Sequence, residues 1–260
     1  MLVKLLKHDI KKTSRSLGVY YGILLLLAIG TRLLEWLSSI FKPVGSLYAL
    51  IIFAFVLALV GIFFYTFALS IISFYKEFIK DEGYLMHTLP VSKNQLVGSK
   101  LLTAIIAMIV TFVLSISALG IAFYTPHCLD EVIATLQALI QKQLGVSFEL
   151  VMIGFLLYML LSYVYQILFF YLSIALGQTR SANKLMYSVV FGIALNVVIQ
   201  IIMTLMLLAI SLFEPAVLGS ELTVEAFGWV MIPSTIMTLA LAVAFFFATG
   251  YIFKRKLNME

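Results

Sequence analysis

Three histidines, a single cysteine and twelve carboxylates are the residues of this 260-residue chain best suited to acid–base, metal or covalent chemistry. Their spacing supports little of it. His8, His87 and His127 all fall outside the long apolar runs, and no HExxH pair occurs, so the ligand set of a metal-dependent or His-dependent intramembrane protease is missing. Cys128 is alone, so it forms no internal disulfide and belongs to no CxxC or Cys/His cluster. Gly98-Ser99 has the look of a serine-nucleophile fragment, yet no apolar run supplies a histidine base. The phosphate-binding pattern GxxxxGK[ST] is absent, so the chain is not expected to hydrolyse ATP itself. The expectation is a protein with no catalytic or metal site of its own.

Polar side chains inside the apolar runs are the next candidates. No Asp or Glu lies mid-run, where proton-coupled carriers place carboxylates. Arg32 and Glu35 are three apart near the end of the first run, placed to pair with each other or to reach the headgroups. Tyr65, Thr66, Ser70 and Ser73 occur in the second run, and Tyr158, Ser162, Tyr165 and Gln166 in the fourth. Asn196 and Gln200 in the fifth are four apart, hence on one helical face, with Thr204 one turn on. Tyr65, Ser162, Gln166, Asn196 and Gln200 are the candidates for lining a translocation path. The competing role for each is hydrogen-bonded glue between helices, worth about 1 kcal/mol a bond.

The elements that position these residues follow from composition. Hydrophobic residues make up 63% of the chain and charged residues only 11%, against about 25% charged in a soluble domain. A chain of this length has no aqueous core large enough for so much apolar surface, and the mean hydropathy of +1.12 agrees. Apolar runs of about 20 residues or more cross the hydrocarbon as helices. They lie at 17–37, 47–75, 101–124, 150–176, 185–213 and 234–253. The expected fold is an all-α integral membrane protein, one transmembrane domain over 1–260 with six transmembrane helices. The basic stretch before the first run is long for a signal peptide and no small-residue cleavage pattern follows, so the run reads as a retained span.

Lysine and arginine give a direction. Fourteen of the seventeen fall at the N-terminus, the C-terminus and the connections between spans two and three and spans four and five. Only Arg32, Lys42 and Lys142 fall on the other side. Positive residues stay cytoplasmic, so both termini are expected inside, in a multi-pass plasma-membrane topology.

Segments between spans carry further signals. Residues 1–15 place Val3, Leu6, Ile10 and then Leu17 on one stripe, with Lys4, Lys7, His8, Lys11 and Lys12 around it. That pattern predicts an amphipathic helix lying in the interface and turning into the first span. The second run would extend about 43 Å as a helix, more than the hydrocarbon thickness, so it tilts or projects. Beyond it, Gly83 can end a helix, Pro90 biases Leu89 away from helix, and Ser92 can cap the helix entering the third span. Residues 83–91 then form a compact knob in which Tyr84, Leu85, Met86, Leu89 and Val91 meet Asp81, Glu82 and His87, the make-up of a docking tip or of a turn packed on helix ends. In the outer segment 125–148, Val132, Ile133, Leu136, Leu139, Ile140 and Leu144 recur at helical spacing, with Asp130 as its expected cap. Pro233 suits the start of the sixth span, after a connection (214–233) with the composition of a re-entrant or interfacial turn.

Asp81-Glu82-Gly83-Tyr84-Leu85, then Thr88-Leu89-Pro90-Val91-Ser92, then Ser99-Lys100-Leu101-Leu102 resemble the DEGYL…TLPVS and SKLL stretches that follow the second span in type-2 ABC exporter permeases of Gram-positive bacteria. The specific motif covers about 20 residues; six spans and an N-terminal interfacial helix extend the likeness over the chain. The resemblance implies a bacterial cytoplasmic membrane and a coupling helix between spans two and three. Asp81, Glu82, Gly83, Tyr84, Leu85, Thr88, Leu89, Pro90, Val91 and Ser92 would dock on a separate ATP-binding subunit, which holds ATP and Mg. It also implies a second permease chain, identical or related, short re-entrant helices near 214–233, and a hydrophobic drug, antimicrobial peptide or lipid-like substrate. The rival readings are a non-transporting membrane scaffold or sensor, which would have no ATPase partner, and an ion-driven carrier, which would need mid-span charge.

Overall fold

The computed structural model describes residues 2–41, 45–79, 92–123, 126–180, 183–213 and 224–255. Among them it contains seven α-helices and no strand: α1 Leu2–Ile40, α2 Gly45–Ile79, α3 Lys93–Phe123, α4 Pro126–Leu144, α5 Phe148–Gly177, α6 Lys184–Ser211 and α7 Val224–Arg255. All but α4 are long and apolar enough to cross a membrane, and they coincide in order with the six apolar runs. The chain is an all-α, multi-pass membrane protein.

Three boundaries differ from the sequence reading. The basic N-terminal stretch and the first span are one unbroken helix, since nothing between Lys11 and Leu17 breaks a helix and the apolar stripe runs on through both. Asp130 does not cap α4; the helix starts four residues earlier at Pro126, where a ring with fixed φ and no N–H suits the first turn. Pro233 does not start the sixth span either, but sits inside α7, nine residues beyond its first residue. Beside it, Ser234 Oγ donates to the Val230 carbonyl at 2.6 Å and Thr235 Oγ1 to that of Met231 at 2.8 Å.

The chain divides into two compact units. The first comprises Met1–Phe74 and Gly98–Ala134, with α1, most of α2 and most of α3. Its hydrophobic core is Leu24, Ala28, Phe55, Ile62, Ala118 and Ala122. Ser16 bonds Tyr65 while Gly30 meets Ile51, so α1 and α2 are antiparallel. Asp9 meets Lys100 while Tyr21 meets Thr111, so α1 and α3 are parallel.

The second unit comprises Tyr75–Val97 and Thr135–Glu260. Its tight seam is between α5 and α6. A Cβ on Gly177 would fall 2.5 Å from the backbone nitrogen of Ser188, and one on Gly192 would touch Ser173 at 3.4 Å. The two helices thus bring a small-xxx-small pair each, Ser173/Gly177 and Ser188/Gly192, into antiparallel register, the close approach that membrane helices use in place of a hydrophobic drive. Phe245 of α7 packs on Tyr165 and Phe169 of α5 with ring centroids 5.8 and 6.4 Å apart. Burial along α5 concentrates in its last third, from Ile167 to Gly177.

Candidate functional site: polar side chains within the spanning helices

In unit 1 the polar side chains inside the helices find each other. Asp9 Oδ1 lies 2.7 Å from Lys100 Nζ, and both side chains are about 5% exposed or less. They are the only buried charged residues among those described. Both ions leave water, at a cost of several kcal/mol each, and close pairing is what offsets it. His8, largely exposed, stands 3.8 Å from the same carboxylate oxygen. Higher up, Tyr21 of α1, Thr66 of α2 and Thr111 of α3 form one network: Thr111 Oγ1 is 2.8 Å from the Tyr21 hydroxyl and 3.0 Å from Thr66 Oγ1. The carbonyls of Ile62 and Ala107 lie 2.8 Å from the Thr66 and Thr111 hydroxyls, so one threonine gives its single proton to its carbonyl and the other gives its proton to its neighbour. Between these two polar pins the facing stripes of α1 and α3 do not close. A cavity of about 60 Å³ remains, lined by Ile10, Leu17, Ile106 and Val110 among others. The pins add to the apolar core, in which Leu24 and Ala28 of α1 share a buried cluster with Ala118 and Ala122 of α3.

Tyr65, the one path candidate in this unit, makes contacts within it. Its hydroxyl is 2.8 Å from Ser16 Oγ and its ring centroid 4.1 Å from that of Tyr20. Arg32 and Glu35 pair at 2.7 Å on the exposed side of α1, one of the two arrangements their spacing allows.

In unit 2 the remaining path candidates behave differently. Asn196 and Gln200 of α6 and Gln166 of α5 are exposed, and Ser162 is half-buried. None of the three amide side chains has a hydrogen-bond partner among the described residues; the Gln200 backbone carbonyl, by contrast, accepts from Thr204 Oγ1 at 2.8 Å. The register that sets Ser173 against Gly192 and Gly177 against Ser188 puts Gln166 level with Ile199, beside Gln200. Gln166 and Gln200 thus lie at about one depth near the middle of the 28-residue α6, with Asn196 one turn away.

Of the expected coupling residues, Asp81, Glu82, Gly83, Tyr84, Leu85, Thr88, Leu89, Pro90 and Val91 lie outside the described residues, and Ser92 lies within them. Ser92 caps α3 as its type predicts. The Gln95 backbone N–H donates to Ser92 Oγ at 3.4 Å and the Ser92 N–H to Gln95 Oε1 at 3.3 Å. This reciprocal pair is a capping box, which satisfies two backbone donors that the helix start leaves open. Residues 214–223 of the connection before α7 are also outside the description. No cluster of three or more His, Cys, Asp or Glu placed to hold a metal occurs among the described residues.

Asp9 escaped the sequence reading. It is the only acidic residue before Glu35, and it stands three residues after Leu6 and one before Ile10, on the edge of the apolar stripe of a basic helix. A carboxylate in that position is a signal for a buried cation elsewhere, and Lys100 reads from sequence as an orienting charge and as part of the Ser99–Leu102 stretch, not as that cation.

No family model matches the chain, and neither a curated protein nor a solved structure matches it.

Proposed function

We propose that this chain is the membrane-spanning permease subunit of an ATP-driven exporter of the type-2 ABC class. The reading is carried by one observation, the Asp81–Ser92 motif followed by Ser99-Lys100-Leu101-Leu102 at the start of α3. In this reading both termini are cytoplasmic, from the lysine and arginine distribution, and the first turns of α1, continuous with the first span, project past the inner headgroups. A separate subunit binds ATP and Mg and docks on residues 81–92. Its closure on ATP displaces that segment, and α2 and α3, which flank it, carry the displacement into the bilayer. The capping box at Ser92 supports this route, because a helix with a fixed first turn passes on a push that a frayed end would absorb. The substrate class is apolar or amphipathic: a hydrophobic drug, a membrane-active peptide or a lipid-like molecule leaving the cytoplasm or inner leaflet.

Affinity purification of the full chain from its native membrane, followed by mass spectrometry, is expected to bring down an ATP-binding subunit. In the reconstituted pair, Tyr84→Ala with Leu89→Ala is expected to abolish assembly or stimulated ATPase activity. Unchanged assembly and stimulation would remove the docking role. Recovery of the chain with no ATPase would favour the scaffold or sensor reading.

A further inference from the structure

Between its two polar pins, unit 1 keeps an open space of about 60 Å³ at the seam of α1 and α3. Ser14, Thr103 and Tyr21 line it, and each directs its hydroxyl elsewhere. Ser14 Oγ donates to the Lys11 carbonyl at 3.1 Å, Thr103 Oγ1 to that of Ser99 at 2.9 Å, and the Tyr21 hydroxyl pairs with Thr111 at 2.8 Å. What faces the space is almost wholly hydrocarbon. Such a space stays dry and takes apolar guests. Its size narrows the guest. An apolar cavity of about 150 Å³ holds a benzene ring; this one is less than half as large, so it rejects a ring and accepts a stretch of linear alkyl chain. Ser14 and Val110, both exposed, form its mouth, so a chain enters sideways from the bilayer.

Positive charge stands where such a chain would begin. Lys7 and Lys11 are exposed, and they precede Ser14 by seven and three residues, on the same ridge of α1. Asp9, on the turn they share, meets Lys100, next to the start of the apolar run of α3 at 101. The two lysines are therefore level with the border of the hydrocarbon, where lipid phosphates lie. Asp9 is the only acidic residue before Glu35, and its burial against Lys100 leaves the α1 side of the mouth cationic. Lys11 and Tyr21 are ten residues apart, about 15 Å of helix and so about the depth of one leaflet's hydrocarbon.

We infer that this space is a binding site for an anionic phospholipid, with one acyl chain in the seam between Ile10 and Tyr21 and the phosphate on Lys7 and Lys11. The site asks for an alkyl chain and a negative charge one leaflet's depth apart, and an anionic phospholipid carries both. The lipid comes from the leaflet on the lysine-rich side, where anionic headgroups concentrate. It is a lipid held by unit 1 rather than one transported, so the inference stands apart from the permease reading.

Full-length chain in mixed micelles of phosphatidylglycerol and phosphatidylcholine, followed by mass spectrometry of the intact protein, counts the lipid each chain keeps. One phosphatidylglycerol per chain is expected, preferred over phosphatidylcholine about tenfold, the effect of two lysines at a membrane surface. Lys7→Gln with Lys11→Gln is expected to bring the two lipids to parity, while Lys12→Gln, on the far side of α1, leaves the preference in place. Ala107→Val, which puts two methyl groups into the space, is expected to lower retention of both lipids about tenfold, as for two methylenes no longer buried. Ser14→Phe closes the exposed mouth and is expected to do the same without replacing a buried side chain, so misfolding at 107 does not blur the result. Equal retention of the two lipids by the unaltered chain overturns the inference. A preference that survives in the double glutamine variant, or falls as far in Lys12→Gln, also overturns it. Retention unaffected by both Ala107→Val and Ser14→Phe does so too, and moves the lipid to the general surface of the chain.

Discussion

The two compact units handle polar side chains in opposite ways. In unit 1 the charged and hydroxyl groups inside the helices close on one another: Asp9 with Lys100, Tyr21 with Thr111 and Thr66, Ser16 with Tyr65. In unit 2 the helices are held by steric fit, Gly177 against Ser188 and Gly192 against Ser173, while the amides of Gln166, Asn196 and Gln200 face outward. Polar groups in a membrane protein thus serve two ends that sequence alone does not separate. Paired within the unit they are glue; unpaired at mid-depth they ask for something beyond it.

Five changes break or sharpen this contrast. The largest effect is expected from splitting the buried ion pair. Lys100→Met or Asp9→Asn alone leaves one uncompensated buried polar group and should destabilise unit 1 by about 3–5 kcal/mol, whereas Asp9→Leu with Lys100→Met should recover most of the loss. Unfolding of the full chain in mild detergent, followed by the fluorescence of Trp36 and Trp229, measures both. If the double variant is no more stable than the worse single one, the pair has a role beyond mutual compensation. Next comes the steric seam of unit 2. Gly177→Val pushes a side chain into the Ser188 backbone and should cost about 1–3 kcal/mol in the same assay.

Thr111→Val removes the hydroxyl that links Tyr21 and Thr66. The expected loss is about 1 kcal/mol, near that of one or two interhelical bonds in lipid, and Thr66→Val should add little to it because the network is shared. Ser92→Ala is expected to cost about 0.5–1 kcal/mol by removing the α3 cap, seen as faster amide exchange in the first turn of α3 with the remainder of that helix unchanged. The smallest effect on the fold is expected from Asn196→Leu with Gln200→Leu. Stability should stay within about 0.5 kcal/mol, as for exposed positions with no partner to lose. A large loss of stability would place these amides with the glue of unit 1.

The six spanning helices were legible because hydrocarbon demands long apolar runs, and a signal repeated over about 20 residues survives local noise. Arg32–Glu35 and the Ser92 cap were legible because each depends on neighbours within one turn. What was not legible depends on contacts distant in sequence. Asp9 lies 91 positions from Lys100, and nothing local marks them as partners. Tyr65 bonds Ser16, 49 residues away, and nothing local marks that pair either. Pro233 misled because proline suits a helix's first turn, and here the helix begins nine residues before it. The small-residue seam of α5 and α6 was present as two four-residue spacings, but such spacings arise often by chance and only their antiparallel register gives them meaning.

The unbroken run of α1 has a mechanical consequence. Thirty-nine residues of helix make a rod of about 58 Å, nearly twice the thickness of the hydrocarbon, and it contains no proline at which to flex. Its lysine-bearing turns and its membrane-embedded turns are one stiff body. A load applied at the lysine-bearing end is not dissipated at a joint; it tilts or turns the whole shaft, and the far end at Ile40 swings with it.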